Sequence, residues 1–163
     1  MITDAAGVIR PTIFIIIFRI NMKLMEWLLW EDVFKEVSEL MEQERGMESL
    51  KLLFRKFEED KTYYEKVFEV TGQNSFEEML YGQIFNMEEI LVKHHPLKHL
   101  SNMPHVDEKV FLEFHAISLV NGLKYWLIRE SKNISAGDAM EFYQYMMSHS
   151  ILDLLDIENT EKK

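Results

Sequence analysis

Residues 107–127, DEKVFLEFHAISLVNGLKYWL, and 135–154, SAGDAMEFYQYMMSHSILDL, decide the fold. In the first, Asp107 stands where an N-cap belongs, and Phe111, Phe114, Ser118, Gly122 and Trp126 recur at the spacing of one helical face. In the second, Ser135 with Asp138 opens a helix whose stripe is Ala136, Met140, Tyr143, Met147, Ile151 and Leu154. Apolar residues also occupy the other sides: Leu119, Leu123 and Leu127 flank the first stripe, and Ala139, Phe142 and Met146 oppose the second. One face of such a pair meets a core. The other needs a partner, because a large apolar patch on a soluble protein marks an interface. A homodimer closing a four-helix bundle is expected, with Phe114, Ser118, Gly122, Trp126, Met140, Tyr143 and Met147 at its interface and Gly122 letting two helix backbones approach. A pair wholly buried in a larger monomer core is the alternative.

Upstream, the same periodicity continues. From Met22 to about Glu44, Trp30, Phe34, Val37 and Met41 mark a long amphipathic helix, and after Gly46 a second carries Leu50, Leu53, Phe54 and Phe57 to about Asp60. Thr62 with Glu65, and Ser75 with Glu78, have the capping-box pattern of two further helix starts. The first is expected to reach about Val70, before Gly72-Gln73-Asn74. The second carries Phe76, Met79, Leu80, Ile84, Met87 and Leu91 and stops near Pro96, leaving His94 to Pro104 as a loop. Lys132-Asn133 ends the helix that Asp107 begins. With 6 Gly and 3 Pro in 163 residues there are too few turns for a sandwich or barrel, so the fold class is all-α.

The absence of cysteine removes disulfides, thiolate catalysis and cysteine metal sites, and makes a reducing cytoplasm the expected compartment. The net charge is -10, yet residues 1–25 hold Arg10, Arg19 and Lys23 against Asp4 alone, so contact with a polyanion belongs at the N-terminus. The apolar run Ile13 to Phe18 is far shorter than the ~20 residues of a membrane span, and no small-residue cleavage site follows it, so neither a membrane helix nor a signal peptide is expected.

Chemistry is sparse. His94, His95, His99 and His105 fall in one stretch, but Pro96 breaks the helix that would align them and no carboxylate stands among them before Asp107; no metal and no cofactor is expected. His115 reads as a core or dimer-contact histidine, with a hydrogen-bond donor in a pocket as the alternative. No nucleophile stands with a base and an orienting acid, no phosphate loop occurs, and Glu77-Glu78 and Glu88-Glu89 are expected on helix surfaces, so the chain does not read as an enzyme. Trp30, Phe34, Phe57, Tyr64, Phe68, Met79, Phe85 and Met87 are either core or the lining of a ligand cavity between helices.

The start of the chain, Ile2-Thr3-Asp4-Ala5-Ala6-Gly7-Val8-Ile9-Arg10-Pro11-Thr12, resembles the middle of the helix-turn-helix of TetR-type bacterial transcriptional regulators, in which Ala-Gly-Val forms the tight turn before the recognition helix. Leu24-Met25-Glu26-Trp27 looks like the start of that family's connecting helix. Phe54 to Leu80, His115 to Leu127 and Ser135 to Met140 follow in an order similar to its regulatory and dimerisation domain. The resemblance implies an allosteric repressor, in which a small-molecule effector alters the spacing of two DNA-reading heads through the helix at Met22 to Glu44. It implies a helix-turn-helix remnant over 1–21, a helical effector-binding and dimerisation domain over 22–157, and a disordered tail over 158–163.

The departures lie in the DNA reader. Family members carry a helix and most of another before the turn, whereas Met1 stands only a few residues before Gly7, so an incomplete three-helix unit is expected. After Thr12 the family pattern is aromatic and histidine-rich; here Ile15, Ile16 and Ile17 stand instead. Back-translated with permitted codons and read one register over, Ile13 to Lys23 can spell Phe-Tyr-Asn-His-Phe-Gln-Asp-Lys-Tyr-Glu, the family pattern, so a frame shift is the expected history, which the gene sequence decides. Isoleucine offers neither a hydrogen bond to a base edge nor a cation for phosphate. Arg10, Thr12, Arg19 and Lys23 remain as the candidate contacts to duplex DNA, and DNA binding is expected to be impaired. The competing reading is a helical homodimeric interaction module that does not bind DNA.

Overall fold

The computed structural model describes residues 21–69, 75–95, 97 and 105–150. Expectations for Arg10, Thr12, Arg19, the Ile13 to Phe18 run, Val70, Gly72 to Asn74, Pro96, His99, Pro104, Ile151, Leu154 and the tail at 158–163 lie outside those residues. Every regular element among the described residues is helical.

Helix α1 is α-helical over 21–29, widens into a π-helical turn at Trp30–Phe34 and resumes over Lys35–Glu42. Its buried side is Leu29, Val33, Phe34, Val37 and Met41. The widened turn places Val33 and Phe34, adjacent in sequence, both in the core; such turns recur at functional sites. The helix ends in a double reverse hydrogen bond, with Glu44 N–H donating to the Met41 carbonyl and Arg45 N–H to that of Leu40. Glu44, at φ 60°, occupies the left-handed position usually given to glycine. Gly46, expected to interrupt the chain, is instead the first residue of α2 (Gly46–Glu59).

Helix α3 (Lys61–Phe68) follows directly, with Asp60 at its N-cap and no side-chain cap. The Thr62–Glu65 capping box therefore does not form. The helix is already under way at Lys61, because Tyr63 and Tyr64 N–H both donate to the Asp60 carbonyl. The other three caps form as expected. Ser75 Oγ accepts from Glu78 N–H at the start of α4 (Phe76–His94), Asp107 Oδ1 accepts from Val110 N–H at 2.8 Å at the start of α5 (Glu108–Tyr125), and Ser135 Oγ accepts from Asp138 N–H at the start of α6 (Ala136–Ser148). Helix α5 runs on into a second π-helical turn, Trp126–Glu130.

Helix α5 packs chiefly on α4, α2 on α1, and α6 on α2. An aromatic cluster ties the lower core together: Phe57 lies 4.3 Å from Tyr64 between ring centroids, and Phe76 contacts Phe57, Tyr64 and Phe68. Polar bonds fix the helix ends. Trp126 Nε1 donates to the Ile134 carbonyl at 2.9 Å, Ala136 N–H donates to Glu58 Oε1 at 3.0 Å, and Lys61 Nζ donates to the Ser131 carbonyl at 3.2 Å. The last two latch the α5–α6 turn onto α2 and α3.

Candidate functional site

The core side of α5 is Leu112, Ala116, Leu119, Val120 and Leu123, all buried, while Val110, Phe111, Phe114, Ile117 and Tyr125 of the same helix are exposed. Helix α6 buries only its first half, through Ala136, Ala139 and Met140; Phe142, Tyr145, Met146 and Met147 face outward. Of the fifteen exposed large apolar side chains among the described residues, ten lie on α5, its terminal turn and α6, so the apolar surface is concentrated on one pair of helices.

Between the two helices runs an apolar groove of about 250 Å³. Ser118, Gly122, Tyr125 and Trp126 form one wall, Ala139, Phe142, Tyr143, Met146 and Met147 the other, and Phe54 of α2 lies below. Five of the residues expected at a dimer interface, Ser118, Gly122, Trp126, Tyr143 and Met147, therefore line this groove. Phe114 stands on the same helix, 70% exposed. Two expectations are corrected: Trp126 (3% exposed) and Met140 (1%) are buried within the chain, because the tryptophan nitrogen is tied to Ile134 and Met140 faces the core. Ala139, on the side opposite the expected interface stripe, is buried, whereas Phe142 and Met146 of that same side are exposed. Gly122 also has a different use. A β-carbon there would stand 3.2 Å from Tyr143 Cδ2, so the glycine makes room for an aromatic ring of its own chain.

That ring belongs to a polar network at the junction of α4, α5 and α6. His115 Nδ1 lies 2.6 Å from Glu88 Oε1, His115 Nε2 lies 3.5 Å from the Tyr143 hydroxyl, and Phe111 stacks on the imidazole. Glu88 is buried, against the expectation of a surface position, and its Oε2 has no hydrogen-bond partner among the described residues. Burial pushes its carboxyl above the usual carboxylate range, with the His115 hydrogen bond pulling back. Burial, and then the charge of Glu88, holds the Tyr143 phenol above its ordinary value. Glu88 could have been found from sequence, since it continues the Leu80, Ile84 core row one turn on. Glu77 is likewise engaged, by Lys124 Nζ at 2.6 Å.

The aromatic residues considered for a pocket separate into groups. Phe34, Phe57, Tyr64, Phe68 and Met87 are buried in the core, Met79 and Phe85 are half-buried, and Trp30 is exposed on α1. All five belong to the hydrophobic core, with Phe57 packed on Tyr64 and Phe68 on Phe76, and so fill space instead of lining it. Tyr64 alone of the eight also borders a described cavity of about 270 Å³, with Met25, Leu28 and Leu29 of α1, Tyr63 of α3, Phe76 of α4, and the carboxylates Asp32 and Asp60.

Residues 44–148 match the family model TetR_C_8, the transcriptional regulator C-terminal region. The chain belongs to the TetR-type transcriptional regulator family. No curated protein and no solved structure matches it. The match to this TetR-type regulator runs from the left-handed turn at Glu44 to the last residue of α6, and so includes the groove, the Glu88–His115–Tyr143 network and the Asp60, Tyr63, Tyr64 and Phe76 side of the cavity of about 270 Å³. Helix α1 precedes it. Lys23, the described member of the candidate DNA contacts, is exposed near the start of α1. No helix among the described residues of the regulator is long and apolar enough to cross a membrane, and no three metal-ligating side chains converge there.

Proposed function

We propose that this TetR-like regulator is a cytoplasmic repressor whose helical domain forms a homodimer through α5 and α6 and answers to a small-molecule effector. The observation that carries the reading is the outward apolar face of these two helices. Phe114, Tyr125 and Phe142 are 70%, 61% and 60% exposed around a groove whose walls are almost wholly apolar. Removal of such a face from water contributes roughly 25 cal/mol per Å² of apolar area. A two-fold axis across the pair would build a four-helix bundle from two copies. Helix α1 links residues 1–20 to this domain, so an effector that shifts α1 alters the separation of whatever those residues contact on duplex DNA. Arg10, Thr12, Arg19 and Lys23 are the proposed DNA contacts, with impaired affinity because isoleucines stand where base-reading and phosphate-binding groups belong.

Sedimentation equilibrium at micromolar concentration tests the dimer: the wild type is expected at twice the chain mass, and Phe114→Glu with Phe142→Glu at the chain mass with unchanged helical circular dichroism. A wild type that sediments as one copy overturns the reading. Titration of duplex DNA against salt tests the output, since contacts to phosphate give an affinity that falls steeply with ionic strength.

A further inference from the structure

The cavity of about 270 Å³ under α1 has graded chemistry. Its floor is buried and apolar or aromatic, with Leu29 at 2%, Tyr64 at 4% and Phe76 at 0% exposed, whereas Asp32, Asp60 and Tyr63 face solvent. Among the described residues neither carboxylate has an ion-pair partner. The lysines nearest in sequence are committed elsewhere, Lys35 to Glu31 at 3.2 Å and Lys61 to the Ser131 carbonyl. The negative charge of Asp32 reaches both rings: after burial, it is the next cause holding the Tyr63 and Tyr64 phenols above their ordinary values. The π-helical turn Trp30–Phe34 carries Asp32 on the same side of α1 as Met25 and Leu29. Two unneutralised carboxylates beside two tyrosine faces attract a cation, and the floor accepts an apolar body.

We propose that this cavity binds a small amphiphilic ammonium ion, its apolar body on Leu29, Tyr64 and Phe76 and its cationic head between Asp32, Asp60 and the Tyr63 ring. The inference rests on the reading of this chain as an effector-responsive regulator and names the chemical class of the effector. The volume suits an aryl or short alkyl group bearing a substituted ammonium, and the charge at the mouth excludes carboxylates and phosphates. Because Met25, Leu28, Leu29 and Asp32 all lie on α1, a bound cation touches the helix that leads to residues 1–20.

Isothermal titration calorimetry with benzyltrimethylammonium chloride tests this directly. One saturable site per chain is expected, with no uptake of phenylacetate and at least about tenfold weaker uptake of neutral benzyl alcohol. Asp32→Asn combined with Asp60→Asn is expected to weaken benzyltrimethylammonium by about tenfold or more, and Tyr63→Leu by several-fold. Glu42→Gln, which removes one exposed negative charge away from the cavity, is expected to change nothing. Equal binding by the double variant, uptake of phenylacetate, or no saturable heat up to millimolar cation overturns the proposal. Sedimentation and DNA titration judge the regulator reading separately: a dimer that ignores the cation sinks the cavity alone, and a monomer that binds it sinks the dimer alone.

Discussion

The Nδ1 atom of His115 on α5 stands 2.6 Å from Oε1 of Glu88 on α4, while the second oxygen of that carboxylate is buried with no partner among the described residues. The imidazole, one-third exposed, is the buried acid's principal compensation. His115→Ala is expected to cost about 1–3 kcal/mol, the penalty of leaving a buried acceptor unsatisfied. Adding Glu88→Gln to it should cost much less than the separate losses imply. Urea unfolding of the four chains of that cycle measures the coupling, and strict additivity would show that the contact carries no energy.

The same acid sets a pH dependence. Its folded value is raised above the ordinary 4.5, so the folded chain holds this proton more tightly than the unfolded one does. The stability it contributes is complete below 4.5 and is lost as pH rises through the raised value. Relative to Glu88→Gln, the wild type is therefore expected to lose ground from about pH 4.5 upward, read as the difference between their urea midpoints. A wild type that gains on Glu88→Gln as pH rises contradicts the assignment.

Glu44 carries a backbone strain that glycine lacks. At φ 60° an L side chain costs roughly 1–2 kcal/mol, partly offset by glycine's greater freedom when unfolded. Glu44→Gly is expected to stabilise the chain by about 0.5–1 kcal/mol, despite loss of the exposed contact to His95 at 3.7 Å. Thermal unfolding would register a rise of a few degrees.

At Gly122 two effects oppose each other. Alanine improves helix propensity by about 1 kcal/mol, but its β-carbon would meet Tyr143 Cδ2 at 3.2 Å and push the ring from its place beside His115. Gly122→Ala is expected to destabilise the wild type modestly and to stabilise a Tyr143→Ala chain. The same sign in both backgrounds would mean the ring yields freely.

Phe57, first considered for a pocket wall, is fully buried with its ring 4.3 Å from Tyr64. Its truncation to alanine is expected to cost about 3–5 kcal/mol, as for an aromatic core residue. A loss below about 1 kcal/mol in chemical denaturation would restore the pocket assignment.

What was legible in the chain followed from local rules. Ser75, Asp107 and Ser135 are short polar residues placed just ahead of apolar periodicity, and each caps its helix because the orphan N–H groups of a first turn need an acceptor close by. Thr62 failed the same test because Asp60 closes the turn two residues earlier. The core row of α5 was visible as Leu119, Leu123 and Leu127. On α6 the stripe divides, with Met140 buried and Met147 exposed. The helix leaves the core after its first turns, and no periodicity records where a helix departs from its neighbours.

Sequence by itself determined the all-α class, the starts of α4, α5 and α6, the family resemblance and the surplus of apolar surface near the C-terminus, because each depends on residues close along the chain. Only the tertiary structure decided that Glu88 meets His115 across 27 positions, that Gly122 accommodates Tyr143, and that Asp32 and Asp60 open onto one cavity. Those relationships arise when separate helices pack, and the backbone distance between two residues carries no imprint of which helices become neighbours.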